Sequence, residues 1–285
     1  MPAHLVIGAS GQVGEHLLRA LGGNGVGTYF EHPLPGLARL DARDERAVKA
    51  LLREVRPEVV YVPASEPNVD LCEREPDATA AVNVGVVEAV ARALHGTSAR
   101  LVFFSTDYVF DGAHGPYAED DEPNPLSEYG RQKLAGERWT LETEGGLVVR
   151  TAVVYGWERQ AKNFVVRLID ADRTGAHWRV PADQVGSPTY APNLAQAVVE
   201  LARSGAEGVF HVAGSRPASR YDFAVEAAQV FGLETVVLEP VATADLGQTA
   251  SRPLSAALHV DKAQALLGTP LLPYHLGLRA MAQAQ

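Results

Sequence analysis

The stretch His4-Leu5-Val6-Ile7-Gly8-Ala9-Ser10-Gly11-Gln12-Val13-Gly14 joins four apolar-leaning residues to a turn with glycine at its first, fourth and seventh places. The apolar run reads as a buried strand, and the amphipathic spacing of Gln12 to Leu21 reads as the helix that follows it. Such a turn needs residues without Cβ where the backbone approaches a ligand. The helix start adds unpaired N–H groups at the positive end of its dipole. These are the parts of a pyrophosphate cradle, and the expected ligand is a dinucleotide held by Gly8, Ser10, Gly11, Gln12, Val13 and Gly14. The third glycine lets the helix lie close to the strand.

Outward from this unit the same rhythm repeats. Further strands are expected at Val26 to Phe30, Leu37 to Leu40, Glu58 to Val62, Arg100 to Ser105 and Leu147 to Arg150, with helices at Glu45 to Val55, Ala78 to Leu94 and Glu128 to Leu141. Alternating strands and helices predict an α/β fold with a doubly wound parallel sheet. Beyond Tyr155 the pattern loosens around Pro and Gly, with helices expected at Ala161 to Ala171, Tyr190 to Arg203 and Tyr221 to Phe231. Residues 1–155 are therefore read as a dinucleotide-binding domain and 156–285 mostly as a smaller substrate-binding lobe, part of which returns to the first domain. No linker separates the two, so they should pack closely.

Composition narrows the partners. Thirty-five acidic against 25 basic residues give a formal charge of −10, and no basic run could follow a phosphate backbone, so nucleic acid is not an expected partner. No apolar stretch approaches the roughly 18 to 20 residues that span a bilayer. With one cysteine, Cys72, and no charged-then-apolar leader at the start, the protein is expected in the cytoplasm. Neither His nor Cys spacing suggests a metal site.

The end of the second strand, Thr28-Tyr29-Phe30-Glu31-His32, should meet the adenosine ribose. A carboxylate at Glu31 would accept from the 2′-OH and repel a 2′-phosphate, favouring NAD, whereas Arg39 could approach from the next strand. The choice between NAD and NADP stays open. Asp41, beside Ala42 after the third strand, either faces the adenine or caps the next helix; Ala42, Ala64, Tyr129 and Lys133 complete the expected cofactor contacts, with Lys133 able to hydrogen-bond the ribose.

Tyr129 and Lys133 stand four apart, on one helical face about a turn from each other. A cation there would lower the tyrosine pKa and let the phenol exchange a proton with a carbonyl or carbinol oxygen while nicotinamide exchanges hydride at carbon. Thr106 ends the apolar strand from Leu101, at the carboxyl edge where doubly wound folds bind ligands, and its hydroxyl could hold the reacting oxygen. Ser105 reads better as a loop cap than as a reacting group. Asp107 and Tyr108 either orient the substrate or stabilise the turn.

Around these residues run Val102-Phe103-Phe104-Ser105-Thr106-Asp107-Tyr108-Val109-Phe110-Asp111-Gly112, Pro123-Asn124-Pro125-Leu126, Lys133-Leu134-Ala135-Gly136-Glu137, Asp183-Gln184-Val185-Gly186-Ser187-Pro188-Thr189 and Arg252-Pro253. In these motifs the chain resembles the dTDP-4-dehydrorhamnose reductase family of extended short-chain dehydrogenases, along nearly its whole length. The resemblance implies a Rossmann sheet, a catalytic set of Thr106, Tyr129 and Lys133, and reduction of a 4-keto sugar on a nucleoside diphosphate whose deoxythymidine lies on the second lobe. Substrate-binding positions would be Thr106, Asp107, Tyr108, Tyr129 and Val153. Two segments depart from the family: Val62-Pro63-Ala64-Ser65-Glu66-Pro67 replaces its Asn-Ala-Ala-Ala-Tyr-Thr, and Val153 replaces its tryptophan. Ala64 to Cys72 and Arg252 to Leu267 also resemble the regulatory subunit of methionine adenosyltransferase. An epimerase or dehydratase, and a non-catalytic dinucleotide-binding regulator, are the alternative readings. The helices at Ala78 to Leu94 and Glu128 to Leu141 could pair subunits in a homodimer or serve simply as core, and both readings stand.

Overall fold

The computed structural model describes residues 4–284; Met1 to Ala3 and Gln285 lie outside the described residues. The first half runs β1 (His4–Ile7), α1 (Gln12–Leu21), β2 (Gly25–Tyr29), β3 (Ala38–Arg39), α2 (Glu45–Val55), β4 (Val59–Val62), α3 (Val69–Arg74), α4 (Pro76–Asn83), α5 (Gly85–Leu94), β5 (Arg100–Thr106), α6 (Glu128–Leu141) and β6 (Leu147–Thr151). The second half adds β7 (Val154–Tyr155), α7 (Phe164–Arg173), β8 (His177–Pro181), β9 (Val185–Gly186), β10 (Thr189–Tyr190), α8 (Ala191–Arg203), β11 (Gly208–His211), β12 (Ala218–Ser219), α9 (Arg220–Phe231), β13 (Val237–Val241), α10 (Asp261–Leu266) and α11 (Tyr274–Gln283).

The central sheet has the order β11-β6-β5-β4-β1-β2-β3, every pair parallel. This is the expected α/β doubly wound sheet. Strand order reverses between β1 and β4, which opens a crevice at their carboxyl ends, where such sheets hold ligands. Alternation builds the two faces: Val6, Tyr61 and Val102 join α1 and α8 in one core, while Leu5, Ile7, Val60 and Phe103 join α2 and α5 in the other. The apolar face of α5 is buried in the second of these cores, whereas α6 turns glycine and polar residues, Gly130, Gln132, Lys133, Gly136, Glu137 and Thr140, inward. A third core, with Tyr155, Leu168, Tyr190, Phe223 and Met281, sits under the smaller sheets of the second half.

Two expectations about elements need correction. The helix expected from Ala78 to Leu94 is broken at Val84, between α4 and α5. Gly85 is a poor helix former, and Asn83 is drawn sideways: its Oδ1 accepts from Glu66 N at 2.8 Å and its Nδ2 donates to Gln132 Oε1 at 2.8 Å. The helix expected from Ala161 begins instead at Phe164, because the Asn163 side chain caps it and Ala161 has a left-handed backbone, φ 51°. Helix α3 has no counterpart among the expected elements; at six residues it is too short to show a period.

Candidate active site

The glycine turn is shaped for close approach. Gly8 has φ +92°, and a Cβ there would lie 2.8 Å from the Ala64 Cβ, so the ends of β1 and β4 touch through the smallest side chains. At Gly14 a Cβ would fall 2.3 Å from the Gly8 carbonyl oxygen, which fixes the closeness of α1 to the turn. Gly11 is the N-cap of α1 and no side chain caps the helix, so its first N–H groups face the crevice. Gln160 Nε2 donates to Ser10 O at 3.2 Å and Gln12 Nε2 to Gly156 O at 3.4 Å, tying the turn to the second half. The residues present fit a dinucleotide pyrophosphate.

At the ribose end, Glu31 is exposed just past β2, and the cation beside it is Arg43 where Arg39 had been considered. The Arg43 guanidinium lies 4.8 Å from the Phe30 ring centroid and grips Asp41 through bonds of 2.8 and 2.7 Å. Asp41 therefore does not cap α2; Asp44 does, accepting from Arg46 N at 2.9 Å. Ala42 is buried beneath this pair.

The second group of residues meets at the carboxyl end of β5. Thr106 ends the strand, and its hydroxyl donates to Asp107 Oδ1 at 3.1 Å and accepts from Tyr108 N at 3.2 Å. Helix α6, capped by Ser127, is pressed onto this corner through glycine: a Cβ at Gly130 would lie 2.2 Å from Tyr108 O, and one at Gly136 2.5 Å from the Phe103 ring. Tyr129 is thereby set edge-on to Tyr108, with 5.9 Å between ring centroids, close to the Thr106 hydroxyl. Lys133 is 2% exposed, with its ammonium 4.3 Å from the Phe103 centroid.

Titration in this corner differs from the expectation that Lys133 lowers the Tyr129 pKa. Burial dominates: it pushes the Tyr129 phenol up, partly opposed by the nearby Thr106 hydroxyl, and Lys133 is not among the groups that shift it. Burial also lowers Lys133 to about 7, against the Glu137 carboxylate that raises it. Asp107 is pushed up to about 6 by burial, with the Arg220 guanidinium pulling it back. At neutral pH the corner therefore holds a protonated phenol, which can give a proton. Ser105 also departs from its expected role. It is buried within β5 and donates to Glu137, so it belongs to the support under α6.

Val153 lies at the same corner with φ 45°, a conformation that a β-branched residue adopts only under strain. Sequence reasoning passed over four polar residues that the fold brings to this region: Thr151, paired with Thr106 across the sheet, Gln160, Gln184 and Arg220. Arg150-Thr151 and the motif around Gln184 belong to the family resemblance, and neither named a role for Thr151 or Gln184. Among the described residues no cluster of His, Cys, Asp and Glu could hold a metal, and no helix is long and apolar enough to cross a membrane.

A glycine-cradled crevice beside a half-buried tyrosine and a buried lysine, on a Rossmann sheet, defines the NAD(P)-dependent oxidoreductases of the extended short-chain type, and the chain is one of them. The family model described as RmlD substrate binding domain matches residues 3–285, and the chain belongs to that family. A solved structure of a dTDP-4-dehydrorhamnose reductase from Clostridium acetobutylicum is similar at a TM-score of 0.90 and 32% identity, over 99% of this chain and 98% of that one. A dTDP-4-dehydrorhamnose reductase from Bacillus anthracis, solved in complex with NADP, superposes with a TM-score of 0.87 at 29% identity over 100% of both chains. Methionine adenosyltransferase 2 subunit beta of Xenopus tropicalis is 31% identical over 291 residues, 96% of this chain and 85% of that protein.

Proposed function

We propose that the chain reduces the 4-keto carbon of a nucleotide-linked 6-deoxysugar, as a reductase resembling dTDP-4-dehydrorhamnose reductases. The observation that carries the reading is the half-buried Tyr129, set edge-on to Tyr108 beside Thr106 at the sheet edge, with burial holding its phenol protonated. In this reading residues 1–155 hold the dinucleotide and most of 156–285 holds the nucleotide sugar, with β11 returning to the sheet. When bound, the dinucleotide supplies hydride to the carbonyl carbon. Tyr129 gives its proton to the carbonyl oxygen, Thr106 holds that oxygen, and Lys133, one turn along α6, holds the dinucleotide's ribose through its ammonium. Asp107 and Tyr108 orient the sugar against Val153. A cytoplasmic setting and a nucleotide-sugar ligand, as opposed to a macromolecular one, belong to the same reading. Mixing the protein with NADPH or NADH and dTDP-4-keto-6-deoxy-L-mannose should bleach the cofactor's near-ultraviolet absorbance. Unchanged absorbance with this and related 4-keto sugars would sink the proposal.

The similarity to a methionine adenosyltransferase subunit favours a second reading, in which the chain binds a dinucleotide and regulates a partner enzyme without turnover. The two differ in what they ask of Tyr129.

The pH dependence is a sharper check. Charged Lys133 is the form that donates to the dinucleotide's ribose, so kcat/KM should fall as pH rises through about 7, where the lysine loses its proton. On the acid side it should fall as pH drops through about 6, where Asp107 becomes neutral and can no longer accept from a sugar hydroxyl as a carboxylate. Lys133→Met should remove the alkaline limb and Asp107→Asn the acid one. A single unbroken profile in the parent protein would refute both assignments.

A further inference from the structure

Gln184 is only 7% exposed, yet its Nε2 has no hydrogen-bond partner. A buried amide donor left unpaired costs stability, and such a group calls for a reason. Its direction supplies one. Gln184 stands two residues before Gly186, and side chains two apart along a strand share a face. A Cβ at Gly186 would lie 3.5 Å from Val153 Cγ2 and 3.7 Å from Asp107 Oδ2, so that face looks into the corner beside Thr106. Across the strand pair, Val185 is matched antiparallel with Ser219, and the pairing extends to Arg220 N, which donates to Gln184 O at 2.8 Å. The Arg220 side chain reaches the same corner, its charge lowering the Tyr108 phenol and the Asp107 carboxyl against their burial, while its guanidinium lies 5.9 Å from the Phe164 centroid.

We propose that Gln184 and Arg220 determine sugar specificity: they donate hydrogen bonds to oxygens of the substrate's sugar ring beside the reacting carbon, opposite the accepting carboxyl of Asp107. This rests on the nucleotide-sugar reading above. The mixture of groups selects a hydroxylated ring over a phosphate. An amide, a guanidinium and a carboxylate side by side suit hydroxyls, which both give and take hydrogen bonds, whereas the carboxylate would repel an anion.

Binding to non-reacting ligands separates this claim from the reaction itself. Titration calorimetry with dTDP-glucose and UDP-glucose, against dTDP and UDP alone, measures what the sugar adds to affinity. One of the nucleotide sugars should bind the parent protein more tightly than its own nucleoside diphosphate. Gln184→Met should cut that sugar contribution about 5- to 10-fold and Arg220→Met about 10- to 100-fold, the losses typical of neutral and charged hydrogen bonds. Affinity for the diphosphate alone and for NADPH should stay within about twofold in both variants. The thermal midpoint of Gln184→Met should not fall, because the amide has no protein partner to lose. Variants that keep the full sugar contribution overturn the proposal, as does a Gln184→Met protein that melts earlier and binds every ligand more weakly. A parent protein that binds neither nucleotide sugar overturns the functional reading, and the specificity claim with it.

Discussion

Tyr129→Phe is expected to lower turnover about 100- to 10,000-fold, the range over which a positioned general acid acts. The ring, its edge-on contact with Tyr108 and its place on α6 survive the change, since only the hydroxyl is lost. Dinucleotide affinity, carried by the glycine turn at the far side of the crevice, should therefore alter little, and kcat should fall much more than KM rises. Single-turnover measurement of cofactor oxidation with a 4-keto nucleotide sugar checks this. A phenylalanine variant retaining parent turnover would remove Tyr129 as proton donor. If a regulatory role in a cell persisted in that variant, the second reading would gain the ground that the first lost.

Glu137→Leu should produce the largest loss of stability. Glu137 lies one turn beyond Lys133 on α6 and is 2% exposed; Arg150 on β6 meets it through two bonds, Nε to Oε1 at 2.9 Å and Nη2 to Oε2 at 2.7 Å, and Ser105 donates to the same carboxylate. Removing one partner strands a guanidinium inside the fold at a cost of about 3 to 5 kcal/mol. For a chain of this size the melting midpoint should fall by roughly 10 °C. Replacing both partners, as Glu137→Leu with Arg150→Met, should recover most of the loss, because an apolar pair no longer leaves a buried charge alone. A double variant as unstable as the single one would show that the pair matters through shape alone. The Glu137 carboxylate also raises the Lys133 pKa, so its removal should move the alkaline limb of the pH profile to lower pH.

The pair also shows how sequence and structure divide the explanation. Glu137 and Arg150 each stood in a stretch of the family resemblance, thirteen residues apart, with nothing in their spacing to join them. The sheet joined them, by laying β6 beside β5 under α6. Gln184 and Arg220 repeat the case from the second half of the chain: strand β9 is two residues long, and no periodic pattern can announce a pairing that short. The break at Val84 was hidden in another way, since the helical period runs through it, and what interrupts it is Asn83 bonding to Glu66 and Gln132, far away in sequence.

What the sequence determined by itself was everything that depends on near neighbours. The glycine turn after β1, the alternation of strand and helix, and the spacing of Tyr129 and Lys133 are set by backbone geometry over a few residues, and all can be read from residue order. The tertiary structure alone decided the protonation of the corner. Whether Tyr129 keeps its proton and Lys133 loses some of its hold on one depends on how deeply each is buried and on which charges face it. Those charges, Glu137 beneath and Arg220 above through Asp107, arrive from α6 and α9. Desolvation is a property of the packed neighbourhood, so no local stretch of sequence contains it.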